Sequence, residues 1–84
     1  MKKSLFSEDY MRFLKLLREL RECAGLTQEQ IADRLKTTQS VVSKCERGER
    51  RLDVVELRAW CQALDISLPV FITEFEKVLD ERKK

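Results

Sequence analysis

Between Leu26 and Gly48 the chain reads LTQEQIADRLKTTQSVVSKCERG, two short helical runs joined by a corner, and neither run is long enough to hold its shape alone. Ile31, Ala32 and Leu35 fall on one face at helical spacing, and Val42 and Cys45 form a second face beyond the corner. Both faces must be buried against other helices, so the rest of the chain is constrained to supply them. Each run carries its own start signal: Thr27 with Gln30 three residues later forms a capping-box pattern, and Thr38 precedes the second run. Ala32 is small enough to let the two runs cross closely.

If Val42 and Cys45 face inward, a step of about 100° per residue turns Ser40, Lys44 and Arg47 outward, with Ser43 on the flank and Gln39 at the exposed first turn. An amide, two hydroxyls and two cations on one rod are groups that hydrogen-bond base edges and phosphates. A helix, a tight corner and a second helix is also the arrangement by which a chain presents one helix to the major groove of double-stranded DNA.

Arg21, Gly25, Leu26, Thr27, Gln28, Ile31, Ala32, Leu35, Val42, Glu46, Gly48, Leu57 and Leu64 give the chain, from about Leu17 to Phe71, its resemblance to a known family. It resembles the Cro/repressor-type helix-turn-helix family, also called xenobiotic-response-element-like, which includes the lambda-type phage repressors. The resemblance implies an all-α, compact five-helix lambda repressor-like domain, with the helix-turn-helix in its second and third helices. It further implies that Gln39 makes two hydrogen bonds to an adenine, that Ser40 touches the adjacent base edge, and that Lys44 takes guanine O6/N7 or a phosphate. Thr38 and Ser43 complete the base-facing set, and Val41 is placed to meet a thymine methyl. Gln28 is implied as a phosphate contact at a helix N-terminus, and Arg21 and Glu46 as a partly buried pair fixing the third helix against the first. Lys36 and Asp65 stand where the family usually has glycine: at Lys36 the turn is either strained by a left-handed backbone or reshaped, whereas Asp65 is a tolerable change because aspartate visits that backbone more readily.

At 84 residues the chain has room for one compact core, burying about 60 to 65% of its unfolded surface. One domain over residues 1–84 is expected, with its core at about 8–72. The 17 basic and 15 acidic residues leave a net charge of only +2. Residues 1–52 nevertheless carry 12 basic and 8 acidic groups, whereas residues 53–84 carry 5 and 7. The excess of positive charge therefore lies with the candidate reading helix. No apolar run approaches the roughly 20 residues of a membrane span, and MKKSLFSEDY turns acidic before a signal-peptide core can form, so no membrane contact and a cytoplasmic, nucleoid-associated location are expected. Cys23, Cys45 and Cys61 lack CxxC spacing and there is no histidine, so no metal or other cofactor is expected. The thiols read as small apolar residues, with a redox switch at Cys23 or Cys45 as the other reading.

Taken in order, Met1–Leu5 with Lys2 and Lys3 is a solvated arm or one that touches phosphates. Ser7, Glu8 and Asp9 make a helix start, and Tyr10, Phe13, Leu14, Leu17, Leu20 and Ala24 form a stripe that ends before Gly25. After the second and third helices, Gly48 leads into Glu49, Arg50 and Arg51. There the two arginines, with Arg47 and Lys36, are candidate anchors on DNA phosphates. Asp53 and Glu56 form a second capping box, and Val54, Leu57, Trp60, Cys61 and Leu64 make the inner face of a fourth helix. A last helix over about 68–82 follows Ser67 and Pro69. Its stripe of Phe71, Phe75, Val78 and Leu79, with Leu5, Phe6, Tyr10 and Phe13 from the other end, exceeds what a minimal core requires. A homodimer interface is expected there, or packing within one chain.

The expected function is a sequence-specific regulator of transcription, a repressor by analogy, reading an inverted repeat as a homodimer. A restriction-modification controller or an antitoxin-type regulator with a protein partner is the alternative, and a protein-interaction module without DNA binding ranks below it. An enzyme is not expected: there is no histidine, there are only two glycines, and no nucleophile sits beside its base.

Overall fold

Ser7 opens the first helix by accepting a hydrogen bond from the Tyr10 amide at 3.1 Å, with Glu8 and Asp9 in the positive first turn. The computed structural model describes residues 7–82, and the segment carrying Lys2, Lys3, Leu5 and Phe6 lies outside them. Five helices follow in order: α1 (Glu8–Cys23), α2 (Gln28–Leu35), α3 (Gln39–Glu46), α4 (Val54–Ala63) and α5 (Leu68–Arg82). Each expected cap is in place. Thr27 and Gln30 exchange backbone and side-chain bonds at 3.1 and 2.9 Å, Asp53 and Glu56 do so at 2.8 and 3.0 Å, and Thr38 accepts from the Val41 amide at 3.2 Å.

The exits of α1 to α4 share one geometry. A residue in left-handed conformation follows the helix, at Gly25, Lys36, Gly48 and Asp65, with φ of 75°, 58°, 81° and 62°. In each case its amide and the next one fold back onto the last-turn carbonyls; at α3, Gly48 bonds Cys45 at 3.1 Å and Glu49 bonds Lys44 at 2.9 Å. Of the two outcomes open at Lys36, the structure shows the left-handed one and not a reshaped turn, and Asp65 adopts the same conformation.

α2 packs against α3 and α4, α1 against α3 and α5, and α4 against α5. At the centre Leu17, Ile31, Val42, Cys45, Cys61 and Phe71 are fully buried. Trp60 is core, as expected, and Ala32 is buried at the crossing of α2 and α3. Several expectations need correction. Val54 is not on the inner face but 64% exposed. It occupies the first turn of α4, at the rim of an open groove that Tyr10, Phe13 and Phe75 also line. Ala24 is exposed because the helix has ended and it serves as the C-cap, whereas Leu16, outside the expected stripe, is buried.

Phe71, expected at an interface between copies, is wholly enclosed by its own chain at 0% exposure. Its ring meets Phe13 edge-on at 5.7 Å, Phe13 meets Phe75 at 5.8 Å, and Tyr10 lies 5.2 Å from Phe13. This aromatic cluster ties α5 to α1, so Phe71 and Phe13 are spent inside the molecule and Phe75 is half-buried there. Val78 and Leu79 stay half-exposed further along α5.

Candidate nucleic-acid interface

α3 is held from behind by apolar burial and from one side by charge. Val42 and Cys45 are 0% and 2% exposed, which fixes the rotation of the helix about its axis. Arg21 of α1 reaches Glu46 with a bidentate pair, Nε to Oε2 at 2.6 Å and Nη2 to Oε1 at 3.1 Å, and its Nη1 donates to the Leu26 carbonyl at 2.8 Å. Both side chains are nearly covered, so the pair that family resemblance implied is present and more buried than expected.

The structure extends that pair into a chain of bonds that sequence reasoning missed. Gln28 Nε2 donates to Glu46 Oε1 at 2.9 Å, and Gln28 Oε1 accepts from Gln39 Nε2 at 2.6 Å. Gln28, implied as a phosphate contact, is thus half-buried between two partners, and its carbonyl oxygen sets the direction of the Gln39 amide. Gln39 keeps its own Oε1 and one N–H facing out, the acceptor and donor that the N6/N7 edge of adenine requires. The signal was faint: Gln28 and Gln39 each open a helix, and only the angle of the corner brings those two ends together.

Ser40 and Lys44 are exposed beside Gln39, and neither side chain has a hydrogen bond or ion pair among the described residues. Thr38 is exposed but spends its acceptor on the α3 cap. Ser43 lies on the flank, where its hydroxyl accepts from Arg47 Nη1. Val41 is half-buried against the core. Lys36 is exposed at the corner between α2 and α3.

The expected phosphate anchors after α3 divide. Arg47 points outward but is gripped by Glu49, Nε at 2.9 Å and Nη2 at 3.2 Å. Arg50 reaches back to Glu56 at 2.8 Å and to the Cys45 thiol at 3.8 Å, and Arg51 lies over the Tyr10 ring with its guanidinium carbon 4.2 Å from the centroid. The Tyr10 hydroxyl in turn accepts from the Leu52 amide at 3.2 Å, so the loop is moored to α1 and α4. Arg34 closes α4 by donating to the Ala63 carbonyl at 2.7 Å.

These contacts shape the electrostatics. Bonding to Arg47 holds the Glu49 carboxyl below the usual carboxylate range, and the Asp53 amide, with Arg50 second, does the same for Glu56. Burial pushes the Cys45 thiol up, against the opposing pull of Arg50, and pushes Cys61 up as well. Cys45 is enclosed at 2% exposure, whereas Cys23 is exposed. Among the described residues no group of three or more His, Cys, Asp or Glu side chains could hold a metal, and no helix is long and apolar enough to cross a membrane.

The chain matches the profile of a family described as a helix-turn-helix domain over residues 12–70. Among solved structures it is similar to an XRE-family like protein from Pseudomonas syringae pv. tomato str. DC3000, at 40% identity and a TM-score of 0.77, over 82% of this chain and 84% of that one. It is also similar to the restriction-modification controller protein C.Esp1396I. A tyrosine-to-phenylalanine mutant of that protein matches at 27% identity and a TM-score of 0.73, over 100% of this chain and 98% of that one. The same controller, solved as a tetramer in complex with its natural 35 base-pair operator, matches at 25% identity and a TM-score of 0.78, over 86% and 95% of the two chains. No curated protein matches.

Proposed function

This chain belongs to the helix-turn-helix domain family, in its XRE type, and from that premise we infer that it is a sequence-specific double-stranded DNA-binding regulator of transcription. The observation that carries the reading is the division of α3 into an enclosed flank, Val42 and Cys45, and an exposed flank, Gln39, Ser40 and Lys44. Burial on one side aims the polar side at a duplex. In this reading Gln39, oriented by Gln28, takes an adenine, Ser40 the neighbouring base edge, and Lys44 a guanine or phosphate, with Thr38 and Ser43 at the margin. Lys36, Arg47 and Arg50 meet the backbone, while Arg51 contributes mainly by mooring the loop to Tyr10.

A homodimer reading an inverted repeat completes the proposal. Its contact surface is the outer part of α5 around Val78 and Leu79, with Phe71 excluded by its burial. The likeness to a controller protein solved on its operator as a tetramer supports a multimeric regulator, and favours a controller-type role as the second reading. Repression by promoter occlusion and a cytoplasmic, nucleoid-associated location accompany it by analogy with the family.

Selection of bound sites from random duplex DNA tests the reading. It is expected to enrich inverted repeats whose half-site centres lie about 10 to 10.5 base pairs apart, or a multiple of that. Gln39→Ala is then expected to relax preference at one base pair per half-site by about 1 to 3 kcal/mol. A chain that enriches nothing at low salt would be a protein-interaction module instead.

A further inference from the structure

Two arginines that the functional reading places at the DNA backbone are already held by carboxylates of their own chain. The two carboxylates differ in their commitments. Glu56 gives Oε2 to Arg50 at 2.8 Å but also gives Oε1 to the Asp53 amide at 3.0 Å, so it belongs to the cap of α4. Glu49 has no such second duty: among the described residues its carboxylate bonds only Arg47. It takes the Nε and Nη2 edge of that guanidinium in a two-bond fork, at 2.9 and 3.2 Å, the mode in which arginine also grips a phosphate. Both side chains are half-exposed, Arg47 at 54% and Glu49 at 51%, at the end of α3 beside Lys44, whose charge also acts on the Glu49 carboxylate.

We propose that Glu49 is an internal stand-in for a DNA phosphate and sets the affinity of the α3 surface, because each DNA complex must first displace it from Arg47. The proposal rests on the DNA-binding reading above. An exposed ion pair is weak and screened by salt, so a duplex phosphate can replace the carboxylate. Phosphates carry no base identity, so the penalty is the same for all sequences. Glu49 thereby lowers occupancy at random DNA and at the operator together, leaving the choice of sequence to Gln39, Ser40 and Lys44.

Glu49→Gln removes the charge and keeps the size. Measured by fluorescence anisotropy against a selected site and a scrambled duplex, it is expected to tighten both by a similar factor, about two- to fivefold. The log–log salt dependence is expected to change by less than about one unit, because Arg47 neutralises the same phosphate in both chains. In an Arg47→Ala background the same change is expected to give almost no gain. A gain that persists without Arg47 would mean that Glu49 acts through bulk charge, and no gain with Arg47 present would mean that the pair does not compete with phosphate; either result overturns the proposal. If the unaltered chain binds neither duplex at low salt, the DNA-binding reading falls and takes this inference with it. Unaltered binding with a flat Glu49→Gln response overturns this inference alone.

Discussion

Lys36 holds a left-handed backbone, φ 58° and ψ 45°, because the turn from α2 into α3 is closed by amide bonds from Lys36 and Thr37 onto Asp33 and Ala32 at 3.1 and 2.9 Å. That conformation costs a residue with a Cβ about 1 to 2 kcal/mol, of which glycine would return part after its own larger loss of chain entropy. Lys36→Gly is therefore expected to raise the free energy of unfolding in urea by about 0.5 to 1 kcal/mol, and a fall would contradict the strain argument. Arg21 is the opposite kind of residue, since its value lies in what it satisfies: Glu46, the Leu26 carbonyl and, through Glu46, the Gln28 amide. Breaking a pair this enclosed typically costs about 3 to 5 kcal/mol, chiefly because a buried carboxylate is left without its cation.

Helix starts were legible in the sequence because a cap is a local relation between a residue and one three positions later. Thr27 with Gln30, Asp53 with Glu56, Ser7 and Thr38 all behave as their spacing predicts. The α4 cap also gives a pH dependence. Glu56 is held below its ordinary value by the Asp53 amide and Arg50, so its contribution is present above the unfolded carboxyl pKa of about 4.3 and is lost as pH falls through the lower folded value. Glu56→Gln, which can still complete the capping box but lacks the charge that the Asp53 amide and Arg50 favour, is expected to lower stability at neutral pH and to reduce the further loss below about pH 4.3 by a similar amount, so that the two chains converge in acid. Urea midpoints across that range check it, and an unchanged acid loss would contradict it. Links between elements were less legible. The Arg21–Glu46 pair was implied by family resemblance, but Gln28 to Gln39, Arg50 to Glu56 and Arg51 to Tyr10 depend on angles between helices that periodicity does not specify. Val54 illustrates the same limit, for it follows the apolar spacing of α4 but opens that helix at the rim of a groove and stays exposed.

At the scale of the molecule, α1, α2, α4 and α5 serve to hold α3 at a fixed rotation with its polar flank in solvent. Phe71, Phe13 and Phe75 close α5 onto α1, so Phe13 and Phe71 are buried and Phe75 half-buried within their own chain. The sequence could not apportion that stripe between core and interface, since both demand the same apolar spacing. The arginines after α3 are tethered to carboxylates and to a ring, whereas the reading side chains Ser40 and Lys44 are free of such bonds among the described residues. On the proposed reading, preference for a sequence resides on α3 and strength of binding is adjusted by the loop behind it. Mapping backbone amide shifts of the isotopically labelled chain on titration with a selected duplex examines that arrangement directly. The largest changes are expected from Thr38 to Arg51, with α5 little affected; a duplex that shifts α5 while leaving Gln39, Ser40 and Lys44 unmoved would contradict it.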